Sequence, residues 1–551
     1  MRLHNYDINP KYGKSIAYFS MEFAIHQALK IYSGGLGFLA GSHMRSAYDL
    51  RQNMLGVGVL WSYGYYDQTR HADRSLKPEF IRKEYHFLVD MNIKVSVMIH
   101  GKEVWVKAFL LPSDIFHSAP LILLSTDIQE NDFLARTITH KLYDANEETR
   151  ISQEIVLGIG GAKVLEQINR KTDIYHMNEG HALPLVYELY AKYGSMEEVK
   201  KRVVFTTHTP EAAGNEEHNI YELHKFGFFN GLGLDEVRQI MMMEGENFNL
   251  TVGALRSVKI ANGVSRFHGE VANRMWRDTE GKSEIIYITN AQNHRFWMDK
   301  GLIRALAECD DGAFIERKKH LKRRLFDIVA DQTGKMFDPD ILTVVWARRF
   351  AEYKRPGLLK QDFERFEALI TRSDKPIQVI WAGKPYPFDV NAVNAFNELV
   401  HISQSYDRMA VLVGYELELS FMLKKGSDVW LNTPRISREA SGTSGMTASM
   451  NGSIHLSVAD GWHPEFVQEG INAFTLPPLD DNLSDEQMDR LDNQHLMEIL
   501  EEKIIPIYYN EPDRWREIMK RAMGDVIPAF DSDRMADEYY ALMYNRVMGA
   551  V

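Results

Sequence analysis

The hydrophobic pattern along this chain alternates between two kinds of segment. Short, uniformly apolar runs are followed by longer stretches in which apolar residues recur every three or four positions. The first kind is typical of strands buried on both faces, and the second is typical of amphipathic helices. The alternation therefore predicts α/β units with parallel sheets, including buried strands at 202–207, 342–347 and 377–382.

Each of these three predicted strands runs into a loop that carries polar residues. The loops are His208-Thr209-Pro210, Arg348-Arg349 and Gly383-Lys384. Ligands of doubly wound sheets bind beyond the carboxyl ends of the strands. The three loops are therefore predicted to form the wall of a binding site.

A chain of 551 residues is too long for one ordinary domain and suits two large ones. A strand-like segment at 285–288 leads into a polar stretch that ends at Asn293, which places the domain boundary there. The tail from about residue 480 is predicted to be helical, with Pro506, Pro512 and Pro528 as interruptions. The predicted divisions are 1–290, 291–500 and a helical end at 501–551 that returns to the N-terminal domain.

Composition narrows the class of protein. The net charge of −12 argues against a broad surface for nucleic acid or for an acidic membrane. Cys309 is the one cysteine, so no intrachain disulfide is expected. The N-terminus lacks the apolar core of a signal peptide, and no apolar run approaches the roughly 20 residues of a membrane span. These features predict a cytoplasmic protein, and no metal site is expected.

A glycine-rich segment, Ser33-Gly-Gly-Leu-Gly-Phe-Leu-Ala40, precedes a predicted helix at 41–50. Adjacent glycines let backbone N–H groups approach an anion, and a helix N-terminus adds partial positive charge. A tight structural turn explains the same residues equally well. From the residues alone, both interpretations stay open.

A second segment, Arg348-Arg-Phe-Ala-Glu-Tyr-Lys-Arg355, places four cations within eight residues. Such a run is usually a solvated helix face. Its position at the end of a predicted strand argues for an anion site, for which guanidinium and ammonium groups are suited, and from the residues alone both interpretations stay open. His181 and Glu439 also have ordinary alternatives, as a structural histidine and as a helix N-cap residue.

Several longer motifs carry a resemblance to a known family. They are Tyr18-Phe-Ser-Met-Glu-Phe23, Met177-Asn-Glu-Gly-His181, Ala261-Asn-Gly-Val-Ser-Arg-Phe-His268, Arg348–Arg355, Glu439-Ala-Ser-Gly-Thr-Ser-Gly-Met-Thr447 and Asp460-Gly-Trp462. Together they resemble the α-glucan phosphorylases, the glycogen and maltodextrin phosphorylase family, in its short bacterial and archaeal form. The resemblance covers nearly the whole chain. It implies a GT-B fold, in which two Rossmann-like domains face a central cleft and a helical tail follows.

The resemblance also implies a role for each matching residue. Arg349 and Lys354 match residues that bind phosphate, and His181 matches one whose backbone carbonyl lies near the anomeric carbon of the transferred sugar. The remaining matches bind the sugar or approach the phosphate: Gly34 and Gly35 at the phosphate and sugar, Asn262 at the 6-hydroxyl, Tyr353 at the 2-hydroxyl, Glu439 at the 3-hydroxyl, and the backbone near Ser441, Gly442 and Thr443.

Thr447 departs from the family pattern. The family has a lysine at this position that holds pyridoxal phosphate as a Schiff base, and a hydroxyl cannot form an imine. Further departures are Ser42 for Asp, Ser152 for Lys, Thr289-Asn-Ala-Gln-Asn293 for Thr-Asn-Gly-Val-His, and His463 for a second aromatic residue. No covalent cofactor is therefore expected, and the departures suggest a chain adapted away from the cofactor.

The first functional hypothesis is a retaining glycosyltransferase, independent of pyridoxal phosphate, that transfers a hexosyl group, expected to be glucosyl, from a sugar nucleotide to a glucan or another acceptor. Thr447, eight residues after Glu439, would then contact the nucleoside. One alternative is an α-glucan phosphorylase that uses a sugar phosphate and binds pyridoxal phosphate non-covalently. Another is a catalytically silent glucan-binding or regulatory protein. The resemblance leaves a homodimer open.

Overall fold

The computed structural model describes residues 3–211, 214–480 and 482–547. The chain forms two compact units. Unit 1 comprises Met1–Tyr66, Phe80–Asn293 and Ser532–Val551, and unit 2 comprises Asp67–Glu79 and His294–Asp531.

This division can be compared with the one expected from sequence. The change from unit 1 to unit 2 falls after Asn293, three residues beyond the predicted boundary at 290. The short segment Asp67–Glu79 groups with unit 2, which no local pattern indicated. Residues 501–531 belong to unit 2, and the chain returns to unit 1 at Ser532. The last four residues of the predicted tail, 548–551, lie outside the described residues.

The strands of the described chain are β1 Ile16–Phe19, β2 Met54–Val59, β3 Asp67–Arg70, β4 Leu76–Glu79, β5 Val89–Ile99, β6 Lys102–Leu111, β7 Leu121–Ser125, β8 Ile174–Asn178, β9 Val203–Thr206, β10 Glu217–Asn219, β11 Asn247–Asn249, β12 Ile260–Gly263, β13 Glu284–Tyr287, β14 Leu342–Ala347, β15 Ile377–Ala382, β16 Met409–Leu412, β17 Val429–Asn432, β18 Ile454–Ser457 and β19 Ala473–Thr475.

The α-helices are α1 Gly35–Asp49, α2 Ser113–Phe116, α3 Phe133–Thr137, α4 Glu147–Ile155, α5 Gly161–Gln167, α6 Pro184–Tyr193, α7 Met196–Lys200, α8 Ile220–Phe226, α9 Leu234–Ile240, α10 Leu250–Ser257, α11 Arg266–Met275, α12 His294–Trp297, α13 Lys300–Ala307, α14 Asp311–Thr333, α15 Phe363–Thr371, α16 Val390–Ser403, α17 Leu417–Gly426, α18 Thr443–Ser449, α19 His463–Phe466, α20 Asp485–Ile499, α21 Ile505–Asn510, α22 Pro512–Phe530, α23 Ser532–Tyr539 and α24 Asn545–Val547. Turns of π-helix at Val156–Gly160, Leu500–Ile504 and Tyr540–Tyr544 join neighbouring helices.

Unit 1 is built around a nine-stranded sheet in the order β13-β12-β9-β8-β1-β2-β7-β6-β5. Six strand pairs of this sheet are parallel, and the edge formed by β7, β6 and β5 is antiparallel. Strands β1, β2, β7, β8 and β9 are buried along their whole length. Full burial explains why these strands read as continuous apolar runs rather than alternating ones.

Unit 2 contains a six-stranded sheet in the order β16-β15-β14-β17-β18-β19, and every pair in it is parallel. This is the order of a doubly wound sheet, in which the chain starts in the middle and builds outward twice. The observed β14 and β15 confirm the predicted strands at 342–347 and 377–382, and β9 lies within the predicted 202–207. The predicted α/β class with parallel sheets is confirmed.

The C-terminal tail is helical, as predicted, but its prolines act differently from one another. Pro512 is the first residue of α22, where a missing N–H costs nothing, whereas Pro506 is the second residue of α21, which directly follows the π-helical turn Leu500–Ile504, through which the helix continues. Pro528 lies inside α22, which continues to Phe530. Within the described residues, no helix combines the length and apolar character needed to cross a lipid bilayer.

Candidate active site

In the unit 2 sheet, β14 and β17 are neighbours. From β14 the chain adds strands on one side, and from β17 it adds strands on the other side. Arg348 directly follows β14, and the loop that leads from β17 to α18 carries Glu439. In open α/β sheets, ligands bind beyond the carboxyl ends of the strands at this point of reversal. The predicted phosphate-binding segment and the predicted sugar-binding carboxylate therefore emerge side by side.

The carboxylate of Glu439 is held by two buried cations. Its Oε2 accepts a hydrogen bond from Arg348 Nη2 at 2.6 Å and another from Lys354 Nζ at 2.5 Å. All three side chains are buried. Burial alone would raise the pKa of Glu439, but Arg348 and Lys354 outweigh it and lower the pKa to about 2. Glu439 is therefore an ionised, fixed hydrogen-bond acceptor, as recognition of a sugar hydroxyl requires.

Arg349 and Tyr353 extend this cluster toward solvent. The exposed guanidinium of Arg349 donates to Tyr353 Oη at 3.2 Å, and the ammonium of Lys354 lies 4.6 Å from the centre of the Tyr353 ring. Burial would raise the pKa of Tyr353, yet Lys354 and Arg349 outweigh it and lower that pKa. Arg348 and Lys354 contact Glu439, and Arg349 lies beside Tyr353 at the exposed side of the cluster, an arrangement of cations that suits a phosphate.

The loop between Glu439 and α18 is shaped by glycine and closed by a neighbouring loop. Gly442 adopts a left-handed conformation with φ +86°, and α18 begins at the next residue. Trp462 N donates to the carbonyl of Ser441 at 2.9 Å. Three buried polar atoms here have no hydrogen-bond partner among the described residues: Arg348 Nη1, Ser441 Oγ and Trp462 Nε1. Such atoms call for a partner outside the protein, such as a ligand or a water molecule.

Thr447 lies in the second turn of α18 with 1% of its surface exposed. Its hydroxyl donates to the carbonyl of Ser444 at 3.0 Å, within its own helix. A Cβ placed on Gly445 would lie 2.5 Å from His455 Nε2, which shows that the ring of His455 packs directly against this helix. A nucleoside contact by Thr447 stays a prediction, since in this geometry the side chain is buried and its hydroxyl is engaged.

The glycine-rich segment of unit 1 uses its glycines in two ways. A Cβ on Gly34 or Gly35 would meet nothing within 4 Å, so the backbone at the start of α1 is open. A Cβ on Gly37 would lie 2.8 Å from Glu22 Oε2, and one on Gly41 would lie 2.2 Å from the carbonyl of Ala24. The first pair therefore permits approach of an anion to a helix N-terminus, and the second pair permits close packing.

Glu22 fixes the glycine-rich loop. Its carboxylate accepts from Ser33 N at 2.6 Å, from Gly34 N at 3.1 Å and from Tyr143 Oη at 2.7 Å. The ring of Tyr143 lies 5.9 Å from that of His181, centre to centre. Unit 1 thus brings the loop and the predicted His181 to the same neighbourhood. His181 is partly exposed, and its Nδ1 has no hydrogen-bond partner among the described residues.

Asn262, predicted to bind the sugar 6-hydroxyl, lies in the interior of unit 1. Its side chain is fully buried, its Oδ1 accepts from Thr206 Oγ1 at 2.6 Å, and its Nδ2 donates to the carbonyl of Gly263 and to Tyr539 Oη. Thr206 in turn lies 2.7 Å from His176 Nε2. In this geometry Asn262 joins a buried polar network, and its contact with a sugar stays a prediction.

Three residues that organise these segments had no role predicted from the sequence. Glu22 and Asp460 stand in motifs that carried the resemblance, but each accepts from backbone N–H groups, and no motif specifies such partners. Glu179 adopts φ +72° and accepts from His208 N at 2.5 Å and from Thr209 Oγ1 at 3.1 Å. A non-glycine residue in a left-handed conformation is a sign of constraint, and it is visible only in the structure.

The fold and the charged cluster together define an α/β protein with a candidate site for a phosphate-bearing ligand. A family model described as carbohydrate phosphorylase matches residues 259–475. The chain is 31% identical to the maltodextrin phosphorylase of Thermococcus litoralis, over 98% of this chain and 71% of that protein. It is 30% identical to the glycogen phosphorylase of Aquifex aeolicus, over 98% of this chain and 87% of that protein. The chain belongs to the α-glucan phosphorylase family.

A further relative is similar along its entire length. The chain is 48% identical to an uncharacterized protein of Methanocaldococcus jannaschii, over 96% of this chain and 100% of that protein.

Proposed function

We propose that this protein is a retaining hexosyltransferase of GT-B architecture that works without a pyridoxal phosphate Schiff base. It would transfer a hexosyl group, glucosyl in our proposal, from a sugar nucleotide to a glucan or a related acceptor. The observation that carries the proposal is Thr447: a buried side chain without an amine, whose hydroxyl is engaged in its own helix. Covalently held pyridoxal phosphate does not fit these residues.

The nearby amines offer no replacement for the missing lysine. The amine of Lys354 is bound to Glu439. Lys318 is buried, and its Nζ donates to the carbonyl of Asn451 at 2.8 Å. Lys424 is also buried, and its Nζ lies 3.8 Å from the centre of the Trp297 ring. Each of these amines has a partner in the fold, so an imine at any of them would first have to break that contact.

The charged cluster supports transfer from a donor with a phosphate leaving group. In the proposed reaction the bond from the anomeric carbon to the leaving phosphate oxygen breaks, and its electron pair departs with the diphosphate. The acceptor hydroxyl bonds to the same face of the sugar, and its proton passes to the departing phosphate. Arg349 and Lys354 would stabilise the charge that develops on the diphosphate, and ionised Glu439 would orient the sugar.

A second candidate is phosphorolysis of an α-glucan with pyridoxal phosphate held by contacts alone. The relatives named maltodextrin phosphorylase and glycogen phosphorylase favour it, as does the phosphate-suited cluster of Arg349 and Lys354. A silent glucan-binding protein is the least supported, because a pure binder of neutral sugar has no need of clustered cations.

Two assays on the full chain separate these candidates. The first measures nucleoside diphosphate release from a panel of sugar nucleotides with maltoheptaose as acceptor. The second measures glucose 1-phosphate release from maltoheptaose and phosphate, with and without pyridoxal phosphate. We expect activity in the first assay that Arg349→Ala abolishes and that Arg490→Ala, a change at an exposed arginine of α20, leaves intact. Glucose 1-phosphate release that requires added pyridoxal phosphate would overturn the proposal in favour of the second candidate.

A further inference from the structure

The loop Asp460-Gly-Trp462 closes on the loop that carries Glu439. Asp460 Oδ2 accepts from Glu439 N at 2.9 Å, and Asp460 Oδ1 accepts from Gly461 N at 2.7 Å. Gly461 has φ +58°, and a Cβ on it would lie 2.3 Å from the carbonyl of Ser441. Both oxygens of Asp460 are thus committed to backbone N–H groups, and the contact leaves no room for another residue at 461.

The surroundings of Asp460 hold charges of both signs. Its side chain is 1% exposed. The charged groups that face it are Glu439 and Lys354, with Arg348 behind Glu439. His463, whose N donates to the Asp460 carbonyl, is neutral, because burial lowers its pKa to about 3. The pKa of Asp460 is raised to about 7 by burial and by Glu439, against the two N–H groups and Lys354.

We propose that Asp460 is a positioning residue: as a carboxylate it holds the backbone of Glu439 in place for substrate binding, and this makes ligand affinity pH-dependent near neutrality. This inference rests on the proposed function of the site. An ionised carboxylate accepts hydrogen bonds at both oxygens. A protonated one carries a hydrogen on one oxygen, which then faces an N–H donor. The hydrogen bond from Glu439 N or from Gly461 N is then weakened, and the backbone of Glu439 is held less firmly.

The sign of the effect separates positioning from a purely structural role. Because the folded pKa of Asp460 lies above its ordinary value of 3.8, its contribution to stability is fully present below about pH 4 and is lost as pH rises through about 7. Ligand affinity should change in the opposite direction, falling as pH falls through about 7. A residue that acted only on folding would move stability and affinity together.

The test combines a ligand-free spectroscopic measurement with a binding measurement, on the full chain. Infrared difference spectra between about pH 5.5 and 8.5 report the carbonyl band of a protonated carboxylic acid. Calorimetry over the same range reports affinity for UDP-glucose, whose diphosphate stays ionised throughout. The variants are Asp460→Asn and a control, Asp299→Asn. Asp299 also accepts two backbone N–H groups, but Arg317 pairs with it and lowers its pKa.

We expect the parent to bind UDP-glucose about five- to tenfold more weakly at the acid end, as loss of one hydrogen bond predicts. Asp460→Asn should bind weakly at every pH and lose the part of the infrared band that Asp460 contributes, keeping the part from other buried carboxyls such as Glu154 and Glu179, whose pKa values burial also raises. Asp299→Asn should keep the parent's whole band and its dependence of affinity on pH. The inference would be overturned if the parent's affinity for UDP-glucose did not change with pH. It would also be overturned if the change with pH persisted in Asp460→Asn. If Asp460→Asn does not fold, the parent profile and band still decide. If the parent binds no sugar nucleotide, the proposed function fails, and an infrared band that is unchanged in Asp460→Asn would overturn the inference separately.

Discussion

Replacement of Glu439 by glutamine tests the charged cluster most directly, because it removes one charge and keeps the shape. Arg348 and Lys354 would then be buried against a neutral amide. A fall in the pKa of Glu439 from 4.5 to about 2 corresponds to about 3 kcal/mol of stabilisation of its ionised form. Because this folded pKa is depressed, the contribution is present above pH 4.5 and is lost only as pH falls through about 2. At neutral pH the full stabilisation by ionised Glu439 is present, and Glu439→Gln would remove it.

The magnitude agrees with general experience, since removing one partner of a buried ion pair costs about 3–5 kcal/mol. Unit 2 contains about 250 residues, so a loss of about 3 kcal/mol should lower its melting temperature by roughly 6–12 °C. The assay is thermal unfolding of the full chain at pH 7 and low salt. The matched control is Glu501→Gln, because Glu501 pairs with Arg365 but both side chains are 29% exposed. That pair should contribute less than about 1 kcal/mol.

Added sulfate supplies a second measurement. An anion that binds the two uncompensated cations stabilises the folded state, so sulfate should raise the melting temperature of Glu439→Gln more than that of the parent. The reasoning is refuted if Glu439→Gln lowers the melting temperature no more than Glu501→Gln does. It is also refuted if sulfate stabilises the parent and the variant equally, because the cations would then not be competing for an anion.

Three further outcomes are expected. Borohydride reduction after incubation with pyridoxal phosphate should leave no adduct in the site, because Thr447 has no amine. Intact mass measurement and peptide mapping check this, and an adduct mapped to a lysine within the charged cluster would contradict it. Arg349→Ala should weaken UDP-glucose binding tenfold or more in calorimetry, with an unchanged melting temperature, because one charge-assisted hydrogen bond contributes about 1.5–3 kcal/mol. Thr447→Lys should not gain efficient release of glucose 1-phosphate from maltoheptaose with added pyridoxal phosphate, since misplacement by about an ångström can cost a hundredfold; robust phosphorolysis would end the transferase hypothesis.

Local patterns predicted the elements whose burial is uniform. Strands β14 and β15 appear at the predicted bounds because every residue in them is buried, so the apolar run and the strand coincide. Helix α1 was predicted to begin at 41 but begins at Gly35. The glycines that argued for a loop are partly packing residues, since Gly37 and Gly41 lie inside the helix against Glu22 and Ala24. Propensity could not reveal this, because close packing against another segment overrides it.

The sequence predicted which charged residues lie close together but not which of them contact one another. Arg349, Lys354 and Glu439 were expected near one another, and the structure places them at neighbouring strand ends. Their direct contact was not expected: Lys354 and Glu439 are 85 positions apart, and Arg348 and Glu439 are 91 apart. From the sequence, Arg349, Lys354 and Glu439 were assigned to a ligand, and Arg348 was given no role of its own. In the folded chain Arg348 and Lys354 hold the carboxylate of Glu439, and these contacts depend on tertiary distances.

Two departures from the family pattern contact each other, and a third contacts a histidine that packs against the helix of Thr447. Ser42 Oγ donates to Gln292 Oε1 at 2.7 Å, across 250 positions of sequence, so two departures form one buried hydrogen bond. His463 Nδ1 lies 3.0 Å from Nδ1 of His455, the residue that packs against the helix of Thr447. Each such pair stabilises a geometry that its members cannot provide separately. In our proposal, replacing one of these residues by its family counterpart would leave its partner unmatched, and Thr447→Lys alone is therefore not expected to give efficient phosphorolysis.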